Sequence, residues 1–191
     1  LGSSFVSLKL LPSFVYLLVA WSIYNLLINS GLNKKDSFAG CLIFLFIPAV
    51  SFSSFIISTD LFLLLFWTLS LNELIKIKSE QALKNFILLG IFLGLAFLSK
   101  YAAIYFVICL FILILFDQRF RKVFLNNLSG FSLTFLSMFI IIVPNIIWNF
   151  NNDWITLRHT SDNANFANIE LNFIRGLEFL FIQVLMLGPF L

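Results

Sequence analysis

Ile57-Ser58-Thr59-Asp60-Leu61-Phe62-Leu63-Leu64-Leu65-Phe66-Trp67 places one carboxylate at the head of a long apolar run. A second hinge of the same kind, Leu98-Ser99-Lys100-Tyr101, sets one ammonium between two apolar stretches. Runs this long with no alternating polar residues read as helices in lipid, where every backbone N–H and C=O must be satisfied within its own segment. A membrane β-barrel needs polar residues at every second position, and the runs have none.

The rest of the chain extends this pattern. Of 191 residues, 61% are hydrophobic and 11% charged, with a mean hydropathy of +1.03, far from a soluble domain. Seven apolar segments are expected: Leu8 to Asn29, Phe38 to Ile57, Leu61 to Ile77, Phe86 to Leu98, Tyr101 to Phe116, Leu125 to Ile147 and Phe173 to Leu191. The expected fold is all-α, a polytopic transmembrane bundle of about seven spans forming one domain. Gly90 and Gly94, four residues apart, would let another backbone approach the fourth segment. No signal peptide precedes the first run, and the chain starts at Leu1 and stops inside an apolar segment. It therefore reads as a piece of a longer membrane protein.

Lysine and arginine set the expected orientation. The connections after segments one, three and five hold Lys34 and Lys35, then Lys76, Lys78 and Lys84, then Arg119, Arg121 and Lys122, and these are expected to be cytoplasmic. The other face then collects Asp60, Lys100 and a polar loop from Trp148 to Asn172, within which Asn152 or Asp153 would cap a short helix. A net charge of +3 suggests a nucleic-acid partner only if the basic residues gather in a patch. They are scattered over short loops, so no nucleic acid is expected. Cys41 and Cys109 fall inside expected helices without metal-ligand spacing and read as buried free thiols.

Each candidate residue has two readings. Asp60 is a carboxylate at a membrane boundary, able to hold or deprotonate a hydroxyl, and Ser58-Thr59-Asp60 is equally a good helix N-terminus. Lys100 could neutralise a lipid phosphate, or simply snorkel to the interface; its position on the face otherwise depleted of basic residues favours the former. Trp148 and Trp154 read as interfacial anchors. His159, the chain's one histidine, sits beside Arg158 and cannot build a zinc site alone. No cofactor and no metal site are expected, because no phosphate-cradling glycine loop, HExxH, CxxC or GxSxG pattern occurs. A divalent metal requirement is left open.

Taken in order, Lys9-Leu10-Leu11-Pro12-Ser13, Ser58-Thr59-Asp60 with its apolar run, Leu89-Gly90 through Gly94 to Ser99-Lys100-Tyr101, and Pro144-Asn145-Ile146-Ile147-Trp148-Asn149 with Trp154 resemble the bacterial PMT-type glycosyltransferases of glycosyltransferase family 39. These are relatives of protein O-mannosyltransferases and of the aminoarabinose transferase acting on lipid A. The resemblance implies a GT-C fold, a polyprenyl-phosphate sugar donor, and a lipid, glycan or protein acceptor at the periplasmic face of the inner membrane. It implies a catalytic role for Asp60, donor-phosphate binding by Lys100, Arg158 and Lys9, and an acceptor or sugar loop holding Trp148, Asn149, Trp154 and His159. Lys9 stands where the family often has arginine. The family's first outer loop, with its acidic residue, would precede Leu8, so this segment alone is expected to be inactive. Competing expectations are a non-catalytic carrier or flippase for lipid-linked sugars, and a purely structural membrane subunit.

Overall fold

The computed structural model describes residues 5–164 and 173–187, and within them every regular element is helical. The order is α1 (Phe5–Asn29), α2 (Lys34–Phe46), α3 (Pro48–Ser53), α4 (Thr59–Glu80), α5 (Leu83–Ser99), a 3-10 turn (Tyr101–Ala103), α6 (Ile104–Phe116), α7 (Gln118–Asn126), α8 (Leu128–Asn151), α9 (Ile155–Ala164) and α10 (Phe173–Leu187).

The expected count of seven spans is not supported. Among the described residues two helices are long and apolar enough to cross a membrane, Leu10–Asn29 and Leu128–Asn151, or three if the bent pair α6 and α7 is one span. The physical reasons are local. The second apolar run breaks at Ile47-Pro48, because proline starts a new helix and cannot continue the old one. α4 is 22 residues long, but Asn72, Glu73, Lys76 and Lys78 make its second half polar. α5 has 17 residues, about 25 Å, short of a ~30 Å hydrocarbon core. α6 ends at Asp117, where the chain turns through 104° into α7. The described part of the seventh run is the 15-residue α10, which lies against α3; residues 188–191 lie outside the described residues.

α5 is the axis of the bundle. Gln81, in the left-handed region at φ 50°, ends α4 and turns the chain so that α5 runs back along it. α8 lies on the other side of α5 in the same direction: Gly130 meets Phe86, Thr134 meets Phe86 and Gly90, and Ile141 meets Gly94. The approach is so close that a Cβ at Gly90 would collide with the Thr134 carbonyl and the Ser137 hydroxyl. Phe86, Leu89, Leu93, Phe106, Leu110, Phe120 and Phe131 fill the core around this seam.

In lipid the hydrophobic effect does not drive helices together, so small residues and buried polar links do. Asn72 of α4 supplies one such link: its amide donates to the Ser22 carbonyl (2.8 Å) and hydroxyl (3.0 Å) of α1, and its carbonyl accepts from Asn29 (3.2 Å). Thr134 of α8 donates to the Phe86 carbonyl (2.9 Å). The opposite surface is apolar and open, with Phe14, Trp21, Phe111 and Phe139 all exposed, as suits contact with lipid. Of the two thiols expected to be buried, Cys41 is half-buried and Cys109 is exposed on the outer side of α6.

Two predictions follow from these contacts. Gly90→Ala is expected to destabilise the protein by about 1–3 kcal/mol through overpacking, although alanine favours helix, whereas Gly176→Ala, with open space around it, is expected to be neutral or slightly stabilising. Thermal unfolding in detergent checks the opposite signs. At the α6–α7 bend, N–H groups of Phe120 and then Arg119 donate to Asp117 and hold its carboxyl below the ordinary 3.8. A depressed folded pKa means that this cap stabilises α7 above the ordinary value and is lost as pH falls through the lowered one. Hydrogen-exchange protection of the Arg119 and Phe120 amides should fall on that acidification.

Candidate active site

The antiparallel pairing of α4 and α5 brings residues 40 apart in sequence to one end of the bundle. Asp60 lies in the first turn of α4, after Ser58, whose extended backbone starts the helix without a side-chain cap. Lys100 is the one extended residue (φ −161°, ψ 135°) between α5 and the 3-10 turn; its N–H still bonds the Ala96 carbonyl and its carbonyl accepts from Ala103. Held at this pivot, Lys100 reaches Asp60 with Nζ–Oδ1 2.5 Å. Asp60 thus sits in a helix first turn, as one of its two readings expects, and its carboxylate pairs with Lys100 across the helix pair.

The pair is open. The Asp60 side chain is 62% and that of Lys100 45% exposed. An exposed ion pair contributes about 0–1 kcal/mol, so this contact does little to hold the fold.

Beneath Lys100 the next residue is locked in place. The Tyr101 hydroxyl lies 2.8 Å from the Thr156 hydroxyl of α9 and 3.4 Å from Asn145 Oδ1 of α8. Asn149, 2% exposed, donates to the Asn145 carbonyl (3.0 Å) and side-chain oxygen (3.1 Å) and accepts from Thr156. Four polar side chains from three elements satisfy one another, Asn149 buried and the other three half-buried, which is how such groups are tolerated away from water. Sequence reasoning gave Tyr101, Asn145 and Thr156 no role in the site, although Tyr101 and Asn145 stand in the stretches that carry the family resemblance.

The other candidate residues fall around this network. Asn149 lies inside it, turned to its neighbours and away from solvent. Trp148 and Trp154 are exposed at the last turn of α8 and at the α8–α9 turn, the ring of Trp154 meeting Phe150 edge to face at 6.4 Å. Asp153 and Trp154 both have left-handed backbones (φ 52° and 57°), uncommon for residues with side chains. A short helix does follow this turn, as expected, but Asn152 is not its side-chain cap: its amide turns back to the Trp148 carbonyl (2.7 Å). Arg158 and His159 are exposed on α9, two and three residues past the anchored Thr156. Lys9 is in α1, and its side chain lies outside the described residues, as does the loop from 165 to 172. Among the described residues no three His, Cys, Asp or Glu side chains gather where they would hold a metal ion.

The basic connections lie at the other end. Gln81 accepts from Asn127 (2.9 Å) there, beside Lys78 of α4 and the arginines of α7. Asp60 and Lys78 stand at opposite ends of one helix about 30 Å long.

A family model described as dolichyl-phosphate-mannose-protein mannosyltransferase matches residues 1–148. Among curated proteins, lipid A galacturonosyltransferase RgtD of Rhizobium johnstonii is 31% identical over 143 residues, which are 75% of this chain and 29% of that protein. The chain thus spans under a third of the relative it matches. No solved structure matches it. With the match covering both Asp60 and Lys100, this chain belongs to the dolichyl-phosphate-mannose-protein mannosyltransferase family of membrane proteins.

Proposed function

We propose that the protein is a membrane glycosyltransferase that moves a sugar from a polyprenyl-phosphate donor to a lipid, glycan or protein acceptor, with its site at the periplasmic face of the inner membrane. The observation that carries this reading is the open Lys100–Asp60 pair at the end of the bundle opposite the basic connections. The positive-inside rule puts those connections in the cytoplasm and the pair outside. The similarity to a lipid A galacturonosyltransferase supports a lipid-linked substrate.

The chemistry follows from the two charges. The donor phosphate takes the place of the Asp60 carboxylate at Lys100, a swap made easy by the weak exposed pair. Asp60, released, or the acidic residue expected upstream of Leu8, accepts the proton of the acceptor hydroxyl. The acceptor oxygen bonds the anomeric carbon, the bond from that carbon to the phosphate oxygen breaks, and its electron pair stays on the phosphate, where the Lys100 ammonium stabilises the charge that develops. Attack from the face opposite the phosphate inverts the anomeric centre. Arg158 adds positive charge near the phosphate, and Trp148 and Trp154 anchor the rim in the interface where the acceptor arrives.

In the full-length protein, Asp60→Asn and Lys100→Ala are each expected to lower transfer by about 100-fold or more while leaving membrane insertion intact. Full activity in both variants would refute the assignment, and movement of a lipid-linked sugar without glycosylated product would instead mark a carrier. Tyr101→Phe removes the hydroxyl that ties the Lys100 pivot to α8 and α9. It is expected to raise KM for the donor more than it lowers kcat, and an unchanged KM would contradict a positioning role.

A further inference from the structure

The end of the bundle opposite Lys100 carries a groove that the transfer reaction does not use. It has a volume of about 770 Å3 and opens where α6 bends into α7. One wall is apolar, made of Ile112, Leu113 and Phe116 of α6, and Phe116 is 83% exposed. The rim is cationic, with Lys78 from the last turn of α4 and Arg119 from the first turn of α7.

α7 shows how this rim sits. Its Phe120 is 3% exposed and packs on Phe131, while Arg119, Arg121 and Lys122 are exposed. The apolar residues of this short helix pack on the bundle, so its basic side chains point outward beside the groove. Neither rim cation is in a close ion pair: the pairs among the described residues are Lys76–Glu73 and Lys100–Asp60, and the Asp117 carboxylate, which feels the charges of both Lys78 and Arg119, has neither within 4.0 Å. Asp117 also lines the groove, but its Oδ1 accepts the N–H groups of Arg119 and Phe120, so the start of α7 offsets its charge.

We propose that this groove seats an anionic phospholipid, its phosphate between Lys78 and Arg119 and an acyl chain along Ile112, Leu113 and Phe116. The chemistry selects this occupant. A free phosphate would meet the rim and leave the apolar wall bare, and a zwitterionic lipid would bring its own ammonium against the two cations. The site does not depend on the catalytic reading, since it uses no residue of the Asp60–Lys100 end.

The test uses the full-length protein, delipidated in detergent and titrated with phosphatidylglycerol, with phosphatidylcholine of the same chains, or with sn-glycerol 3-phosphate, binding being read by native mass spectrometry. Phosphatidylglycerol is expected to bind tightest. Each charge near an anionic headgroup corresponds to about fivefold in affinity, so Lys78→Gln with Arg119→Gln should weaken it by about 25-fold, while Lys78→Arg with Arg119→Lys retains it. If the double glutamine variant does not insert, Arg119→Gln alone, at an exposed position, should show about a fivefold loss. Equal binding of the two lipids, wild-type binding by the glutamine variants, or equally tight binding of glycerol phosphate would each overturn the proposal.

Discussion

The close contact of α5 with α8 governs what the other end of the molecule can do. α5 reaches α8 through Gly90 and Gly94, and any side chain at Gly90 would hold the two backbones apart. Because the helices run in the same direction, fixing them at Gly90 also fixes them at their far ends. There Tyr101 meets Asn145 and Asn149. α4 returns along the opposite side of α5 and sets Asp60 beside Lys100. The α4–α5 and α5–α8 contacts together thus align a carboxylate, an ammonium and a tyrosine drawn from two segments of chain.

The arrangement separates rigidity from reactivity. The Tyr101, Asn145, Asn149 and Thr156 side chains are mutually satisfied and largely withdrawn from solvent, so they fix the backbone around Lys100. The Lys100–Asp60 contact just outside them is exposed and contributes little to stability. An ammonium held by a rigid pivot but lightly partnered is suited to receive a phosphate. A deeply buried pair would have opposed the exchange, because removing one partner leaves an uncompensated charge.

Much of this was legible in the sequence, and the reasons differ by residue. Asp60 and Lys100 stood out because a charge amid apolar residues at a membrane boundary is costly and so demands an explanation. Gly90 and Gly94 stood out by spacing. The number of spans did not, because the apolar runs do not reveal that Pro48 restarts a helix, that Gln81 adopts a left-handed turn, or that the chain bends at Asp117. Nor did the polar links: Asn72 finds Ser22 and Tyr101 finds Thr156 across 50 and 55 residues, and no local pattern marks either pair. Asn149, read as a loop residue open to substrate, became a buried strut because α8 continues to Asn151.

In the proposed reaction Lys100 exchanges Asp60 for the donor phosphate. A cryo-EM structure of the full-length protein with a non-transferable polyprenyl-phosphate sugar bound tests it most directly. The phosphate is expected within about 4 Å of Lys100 Nζ, with the Asp60 carboxylate turned away towards the acceptor side. A phosphate bound elsewhere, with the Lys100–Asp60 pair intact, would contradict it.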